Sequence, residues 1–246
     1  MNRLNISKIE SFQKLLFNSR THTTKQIIIM PTSSRQLALC IVRALRARGH
    51  EAFFAGGCVR DMLLGLKPKD YDVATSARPQ EVEGLFEHTV AVGKAFGVIR
   101  VRLNEREFEV ATFRTEGIYR DGRHPASVQF ATAREDAQRR DFTINGLFYD
   151  PVSRKTLDFV GGQADLRRRR LRAIGDPLKR FQEDRLRLLR CVRFAAQLGF
   201  QIEAATWKAV MNRARWIRTV SAERVRDELT KLLVAPHAAK GLLLLH

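Results

Sequence analysis

The chain has 246 residues, of which 44% are hydrophobic and 28% charged, and its formal net charge is +18. These values are typical of a globular protein of one or two domains. No apolar run is long enough to span a bilayer, which argues against an integral membrane protein. The excess of Lys and Arg predicts a polyanionic partner, because these side chains release counterions when they contact phosphates. Charge alone leaves RNA, DNA and anionic lipid open.

The cysteines exclude two further kinds of protein. Cys40, Cys58 and Cys191 are far apart in the chain and form no CxxC pair. They therefore predict neither a disulfide framework nor a zinc site, and they are compatible with a reducing cytosol. We interpret all three as small buried residues.

The start of the chain differs in composition from the rest. Residues 1–32 are rich in Ser, Thr, Asn and Lys, and Glu10 is the only acid among them. This composition fits a transit peptide, a disordered arm or a start codon chosen too early, and we favour a dispensable, disordered extension. Helical periodicity then begins near Arg35 and ends at Gly49, which is a suitable C-terminal cap.

A glycine turn followed by an acidic pair is the most informative feature of the chain. The apolar run at 52–55 leads into Gly56-Gly57-Cys58-Val59-Arg60-Asp61, and Asp70-Tyr71-Asp72 follows. This order predicts a strand, a glycine-rich turn, a short helix and an acidic strand over 70–74. Two carboxylates separated by one residue point to the same side of an extended strand, because side chains alternate with a period of two.

The chemistry of this segment points to phosphate and metal. Adjacent carboxylates repel each other, so the acidic pair predicts a cation between them. Mg²⁺ is normally held by carboxylates together with substrate phosphates, and two such ions clamp the attacking and leaving oxygens of a phosphoryl transfer. A glycine pair lets a backbone approach a triphosphate closely. A solvated acidic face and an ordinary turn are the simpler alternatives, but the order of the elements favours the functional interpretation.

The next elements are short helices and strands. A helix is expected over 79–86, and the runs Val98–Leu103 and Phe108–Phe113 predict a hairpin around Asn104-Glu105-Arg106. Residues 115–129 have the Gly, Asp, Pro and Arg content of a mobile loop.

The chain beyond Phe159 has mostly helical patterns, and its most regular segment is Glu183–Leu198. One helix is expected there, and its apolar side contains Leu188, Leu189, Val192, Ala195 and Ala196. Its opposite side carries Glu183, Arg187, Arg190, Arg193 and Gln197, with Asp184 adjoining Arg187. Taken alone, this pattern is an amphipathic helix with ion pairs along one face.

An ordered set of motifs resembles the class II tRNA nucleotidyltransferases and bacterial poly(A) polymerases, which share a superfamily with DNA polymerase beta. The motifs are FFAGGCVRDMLLGLKPKDYDVATSARP, EDAQRRDFTINGLFYD, the stretch from Asp158 to Phe200, and SAERVRDELTKLL. The resemblance covers roughly residues 35 to 246, in the order and at the spacings of the family.

The resemblance implies an α+β fold, with a DNA polymerase beta-like palm built on a mixed β-sheet and followed by a helical neck. The expected division is an extension at 1–32, the nucleotidyltransferase palm at 33–160 and the neck at 161–246. The family usually continues into helical body and tail domains, so we expect this neck to be truncated.

The resemblance also implies roles for individual residues. Asp70 and Asp72 are the expected Mg²⁺ ligands and catalytic residues, and Glu109 is a candidate third carboxylate from a neighbouring strand. An exposed strand glutamate is the alternative for Glu109. The expected nucleotide-binding residues are Gly56, Gly57, Arg60, Arg140, Asp184, Arg187, Arg190 and Arg193. Asp141 and Asn145, in the same motif as Arg140, are left open as structural residues.

Within that set, Asp184 and Arg187 match residues that hydrogen-bond the Watson–Crick edge of the incoming base. A guanidinium and a carboxylate together can complement both cytosine and adenine. Guanine and uracil would leave buried polar groups unpaired, which is costly. Arg190 and Arg193 match positions near the phosphates of the nucleotide.

The implied activity is template-independent, Mg²⁺-dependent addition of C and A from CTP and ATP to the 3′ end of tRNA, with release of pyrophosphate. The expected setting is the cytoplasm, without a membrane, and the oligomeric state is open. A poly(A) polymerase, an enzyme that adds only A, and a truncated RNA-binding head domain without activity are the alternatives. The segment Gly93-Lys94-Ala95-Phe96-Gly97-Val98 looks more like the tRNA enzymes than the poly(A) polymerases, and the loop at 115–129 argues against an enzyme that adds only C.

Overall fold

The computed structural model describes residues 33–93, 97–117 and 128–246. The extension at 1–32, the centre of the predicted mobile loop and residues 94–96 lie outside the described residues. The helices are α1 Ser34–Ala47, α2 Gly57–Leu63, α3 Pro79–Leu85, α4 Ala133–Arg139, α5 Gly162–Arg167, α6 Pro177–Glu183, α7 Arg187–Leu198, α8 Ala204–Arg213, α9 Ala222–Leu233 and α10 Ala238–Leu245. The strands are β1 Ala52–Ala55, β2 Asp72–Thr75, β3 Thr89–Gly93, β4 Val98–Leu103, β5 Arg106–Thr112, β6 Arg114–Glu116, β7 Val128–Phe130, β8 Leu147–Asp150, β9 Lys155–Asp158, β10 Arg170–Leu171 and β11 Gln201–Ile202.

The core of the fold is a seven-stranded sheet in the order β3-β4-β5-β2-β1-β8-β9. Strands β2 and β5 run parallel, whereas the other neighbours in this sheet are antiparallel. Helices dominate after β9, with one short parallel pair, β10 and β11. The predicted α+β fold, a mixed sheet followed by a helical region, is therefore confirmed.

Both faces of the inner strand β1 are buried, which explains its uninterrupted apolar sequence. Phe54 points into the larger core, which α1 and α3 close through residues such as Ile41 and Val82. Phe53 points to the opposite face and packs in a smaller cluster with Phe148 and the α4 helix. The sheet thus lies between two helical layers, and the turn after β1 opens at its edge.

The local predictions differ from the structure in small ways. The hairpin between β4 and β5 turns at Asn104 and Glu105, whose φ angles are 46° and 60°, so β5 begins at Arg106 rather than at Phe108. Helix α1 ends at Ala47, and Gly49 with φ 84° follows it as expected of a C-terminal glycine.

The described residues test two expectations, the burial of the cysteines and the lack of a membrane-spanning segment. Cys58 and Cys191 are buried as expected, but Cys40 is only half-buried, so that part of the prediction is wrong. Across residues 33–93, 97–117 and 128–246, no helix has the length and apolar character needed to cross a membrane.

The expected single helix over Glu183–Leu198 is wrong, because the structure divides it. Helix α6 ends at Glu183, Asp184 is extended with φ −137° and ψ 106°, and α7 begins at Arg187. The Leu186 N–H donates to Asp184 Oδ1 at 3.1 Å. Such a local side-chain bond offers the backbone an alternative to the helix, so Asp184 lies in a turn between two helices.

Substitution of Gly162 tests the packing between the sheet and the helices. A Cβ built on this glycine would lie 2.2 Å from the carbonyl oxygen of Thr143 and 2.9 Å from Leu147 Cδ2. We expect Gly162→Ala to lower the free energy of unfolding by about 2 to 3 kcal/mol, because backbone must move. Gly84→Ala is the matched control: nothing lies within 4 Å of its added Cβ, and it should stabilise α3 by about 0.5 kcal/mol. Urea denaturation of both variants checks this pair, and equal effects would contradict it.

Candidate active site

The three predicted catalytic carboxylates lie together at one edge of the sheet. Asp72 is the first residue of β2, and the parallel register that pairs Val73 with Val110 places Glu109 of β5 beside it. Asp70 lies in the segment before β2, so the expected strand over 70–74 begins two residues late. Burial, followed by the charges of Asp70 and Glu109, raises the pKa of Asp72 to about 7.

This carboxylate cluster suits a hard cation that also binds phosphate. Among the described residues, no group of three or more His, Cys, Asp and Glu side chains is arranged to hold a metal ion. Mg²⁺ needs no such cage, because it usually takes one or two carboxylates, several waters and substrate phosphates. The oxygen donors of Asp70 and Asp72, with their mutual repulsion, fit that requirement.

The glycine turn lies against Arg140, the residue that follows α4. Gly56 has φ 69° and ψ −125°, and a Cβ on it would lie 3.0 Å from Arg140 Nη1. A side chain there would be both strained and crowded. At Gly57 an added Cβ would make only ordinary contact, 3.7 Å from Arg60 Nη2. Gly56 is therefore the glycine that the geometry requires.

Arg140 is held rigidly and faces the carboxylates. Its Nε and Nη2 donate to Asp136 Oδ2 at 3.1 and 2.9 Å, and its Nη1 donates to the carbonyl of Asn145 at 3.3 Å. Its guanidinium also lies over the Phe148 ring, 4.9 Å from the centroid. The positive charge of Arg140 offsets part of the rise in the pKa of Asp72, so this cation acts on the carboxylate cluster.

Arg60 is buried and connects the glycine turn to the interior. It contacts Asp61 Oδ1 at 2.7 Å, and its Nη1 donates to Asn145 Oδ1 at 2.8 Å. The amide of Asn145 donates in turn to Asp141 Oδ1 at 3.1 Å. The Arg60 guanidinium also stacks on Phe194 of α7 at 5.3 Å. In this structure Arg60 is thus engaged by protein partners, and its predicted nucleotide contact stays a prediction.

The same network continues through Asp141 into the helical region. Arg190 of α7 donates from Nε and Nη2 to Asp141 Oδ2 at 2.9 and 2.7 Å. Burial opposes ionisation of Asp141, but the charges of Arg190 and Arg187 and the hydrogen bonds outweigh it and lower the pKa to about 2. Asp141 is therefore an ionised, buried link between the palm and α7.

The arginine face of α7 packs against α9. Glu228 of α9 is only 3% exposed and accepts from Arg193 Nε at 2.8 Å, and Arg190 Nη1 lies 3.7 Å from its other oxygen. Arg193 also donates to Gln197 at 2.7 Å. The polar side of α7 is not open to solvent throughout, because Arg187 and Arg193 are only 8% and 7% exposed.

The two residues expected to read the base lie at the turn between α6 and α7. Asp184 accepts from Arg224 Nη2, at 3.2 Å through Oδ1 and 3.1 Å through Oδ2. Arg187 donates from Nη1 to Glu183 Oε2 at 2.6 Å and from Nη2 to the carbonyl of Arg139 at 3.3 Å. Asp184 acts electrostatically on Arg190, and Arg187 acts on Asp141. The predicted base-reading residues therefore belong to the same charged network as the predicted phosphate-binding residue Arg190.

Four residues of this network were not predicted from the sequence: Asp136, Arg180, Arg224 and Glu228. The sequence does contain a signal for Asp136, because it lies three residues before Arg139 and four before Arg140, at the spacing of helical ion pairs. Arg224 and Glu228 belong to the last motif but pair with residues about 40 positions away. No local pattern reports such pairs.

A cavity of about 530 Å³ lies away from this site, at the opposite end of β1. Its lining includes Arg46, Phe53 and Asp150, and Arg46 is already paired with Asp150 at 3.0 Å. The carboxylate cluster and the glycine turn do not line it. The chemistry of the chain therefore points to the edge of the sheet at Asp72 and not to this cavity.

Comparison with known proteins agrees with the motifs. A family model described as "Poly A polymerase head domain" matches residues 52–172, and one described as "Probable RNA and SrmB- binding site of polymerase A" matches residues 199–246. A CCA-adding enzyme of Streptococcus pyogenes serotype M2 (strain MGAS10270) is 44% identical over 218 residues, covering 88% of this chain and 54% of the relative. The chain thus spans about half the length of the curated relatives it matches.

Solved structures give the same result. The Bacillus stearothermophilus CCA-adding enzyme in complex with CTP has a TM-score of 0.80 and 39% identity, covering 87% of this chain and 52% of that one. An apo form II of a CCA-adding enzyme has a TM-score of 0.74 and 26% identity, covering 84% and 50%. This chain therefore belongs to the family of class II tRNA nucleotidyltransferases and bacterial poly(A) polymerases.

Proposed function

We propose that this chain is an RNA nucleotidyltransferase that adds C and A from CTP and ATP to the 3′ end of tRNA and releases pyrophosphate. The observation that carries the proposal is the convergence of Asp70, Asp72 and Glu109 with Arg140 beside the Gly56 turn. The names of the relatives, CCA-adding enzymes at 44% identity, support this specific reaction. A solved relative at 39% identity is described in complex with CTP.

The proposed catalytic centre works by position and charge. Asp70 and Asp72 would hold Mg²⁺, which supplies charge neutralisation to the phosphates when bound. Glu109 adds negative charge near them, and Arg140 supplies a positive charge that acts on Asp72. The 3′ hydroxyl of the RNA attacks the α-phosphate of the nucleotide, and pyrophosphate leaves. No protein residue forms a covalent intermediate in this scheme.

The proposed template is the protein itself. Asp184 would present acceptors and Arg187 donors to the Watson–Crick edge of the base, a combination that suits cytosine and adenine. Asp184 lies in the turn between α6 and α7, and Arg187 is the first residue of α7. Both already have protein partners that hold them. A base with mismatched groups would leave these side chains unpaired, which is the source of selectivity.

The neck part of the proposal concerns the positive charge. The region from α5 onward carries exposed arginines at 167–169, 213, 215 and 218. We propose that this basic region contacts RNA phosphates, in line with the net charge of +18. A palm at 33–160 and a neck at 161–246 stay the proposed division.

A poly(A) polymerase is the second candidate, because the matching head-domain model carries that description. One experiment separates the two. The purified chain is incubated with Mg²⁺, labelled CTP or ATP, and tRNA transcripts that end before CCA, after C or after CC. Addition of both nucleotides that stops after the terminal A is the expected result. An unending A tail would select the polymerase, and A addition confined to the CC transcript would select an enzyme that adds only A. Absence of any incorporation would contradict the proposed activity of this chain.

A further inference from the structure

The two proposed base-reading residues are each held by an arginine outside their turn. Arg224 of α9 binds the Asp184 carboxylate, and Arg180 of α6 binds the same oxygen of Glu183 that Arg187 binds. We propose that Arg180 and Arg224 are the positioning residues that determine base specificity, Arg224 directly on Asp184 and Arg180 through Glu183 on Arg187. This inference rests on the proposed function, in which Asp184 and Arg187 read the base.

The first reason is that the backbone alone leaves Asp184 weakly constrained. Asp184 has an extended backbone and lies between two helices, so it is not part of a helical face. Its local bond from Leu186 N–H engages only Oδ1. Arg224 contacts both carboxylate oxygens, so it limits rotation of the carboxylate about its last bond. The Asp184 and Arg224 side chains are 19% and 24% exposed, so the pair is partly shielded from water.

The second reason is that α9 is itself anchored to α7. Glu228 lies one helical turn after Arg224 and binds Arg193 and Arg190 of α7. Both contacts therefore come from one face of α9. Arg224 reaches Asp184 from a helix whose register against α7 is set by buried ion pairs.

The third reason is the bonding of Arg180. Its guanidinium donates to the carbonyls of Arg139, Gln138 and Ile174 at 2.8, 2.9 and 3.2 Å, and to Glu183 Oε2 at 2.8 Å. Gln138 and Arg139 form the last turn of α4, where a positive charge is favourable. Arg180 therefore ties Glu183, and through it Arg187, to the helix that ends just before Arg140.

These contacts matter because the proposed selectivity comes from unpaired polar groups. A mismatched base is costly only if the reading groups cannot turn to meet it. Loss of Arg180 or Arg224 would give Arg187 or Asp184 more freedom. In the variants, the affinities for UTP and GTP should then be closer to those for CTP and ATP than they are in the wild-type protein.

Equilibrium binding tests this without requiring catalysis. The dissociation constants of CTP, ATP, UTP and GTP are measured by calorimetry in the presence of Mg²⁺, for the wild type and for Arg180→Ala, Arg180→Lys, Arg224→Ala and Arg224→Lys. We expect the ratio of the UTP constant to the CTP constant to fall about tenfold in the alanine variants and less in the lysine variants. The lysine variants keep the charge but lack the planar guanidinium, through which Arg180 binds several oxygens, and they carry the test if an alanine variant unfolds.

Two matched controls come from the same helices. Lys179→Ala removes an exposed cation next to Arg180, and Arg226→Ala removes a cation two residues from Arg224 whose side chain is 72% exposed. Both should leave the UTP-to-CTP ratio within twofold of the wild type. A comparable fall in these controls would overturn the assignment of specificity to Arg180 and Arg224.

The outcomes separate the inference from the proposed function. A wild type that binds all four nucleotides equally would overturn both. A wild type that discriminates, together with Arg180 and Arg224 variants that keep its ratio, would overturn the inference alone. The double variant Asp184→Ala/Arg224→Ala should match Asp184→Ala alone, because Arg224 acts through the Asp184 carboxylate. A further fall in the double variant would show an independent effect and overturn that half of the inference.

Discussion

Replacement of Asp72 by alanine is expected to abolish nucleotide transfer while leaving the fold intact. Asp72 begins β2, and burial together with the charges of the nearby Asp70 and Glu109 raises its pKa, so it is the centre of the carboxylate cluster. Losing it removes a proposed ligand for the ion that neutralises the triphosphate. We expect transfer to fall by about 10³-fold or more, which corresponds to about 4 kcal/mol of transition-state stabilisation.

The measurement is the initial rate of labelled CTP incorporation into a tRNA transcript, with circular dichroism to confirm folding. Glu107→Ala is the matched control: Glu107 lies two residues before Glu109 on β5, is exposed and pairs with Arg100 at 3.1 Å. It should keep near-normal activity. A second readout is independent of activity, since Mg²⁺ should raise the melting temperature of the wild type more than that of Asp72→Ala. Near-normal incorporation by Asp72→Ala would refute the catalytic assignment.

Replacement of Asp141 by alanine is expected to have the largest effect on stability. Asp141 is 8% exposed and accepts two bonds from Arg190, and its removal leaves that guanidinium without its closest counter-charge. Breaking a buried ion pair from one side typically costs about 3 to 5 kcal/mol. For a chain of this size the melting temperature should fall by about 10 °C. Asp227→Ala is the control, because Asp227 is 55% exposed and pairs with Arg226 at 3.4 Å; it should change stability by less than about 0.5 kcal/mol.

The pH dependence of this effect has a definite sign. The pKa of Asp141 is about 2 in the folded protein, below the value of about 3.9 expected when unfolded. The ionised carboxylate therefore stabilises the fold fully above pH 4, and this contribution is lost as the pH falls from about 4 towards 2. Urea unfolding at a series of pH values should show a shallower acid slope for Asp141→Ala in that window. Identical slopes for the variant and the wild type would contradict the ion-pair account.

Much of the palm could be predicted because its signals are local. The apolar run before Gly56, the glycine turn and the acidic pair ending at Asp72 predict strand, turn, helix and strand, and the structure has this order. Gly56 needs its positive φ, and Gly49 follows α1 with another. Side-chain alternation in β5 separates Glu109 from its buried neighbours Phe108 and Val110. Each of these features depends on residues close together in the chain.

The α6–α7 region could not be predicted in the same way. The helical pattern over 183–198 is continuous, yet Asp184 leaves the helix because its side chain bonds Leu186 N–H and Arg224. The period of the pattern also places Arg193 on a polar face, whereas Glu228 of α9 buries it. Both partners lie 35 to 40 residues further along the chain, so no window of the sequence contains them.

By itself, the sequence determined the family, the mixed-sheet palm and part of the set of charged residues that make the candidate site, because glycine turns, alternation and the motifs are short-range properties. The tertiary structure alone decided which of those charges meet. The parallel pairing of β2 and β5 places Glu109 beside Asp72. The packing of α7 pairs its arginines with Asp141 and Glu228. Whether an arginine is solvated or buried in an ion pair depends on an acid from a distant segment, and only folding brings the two together.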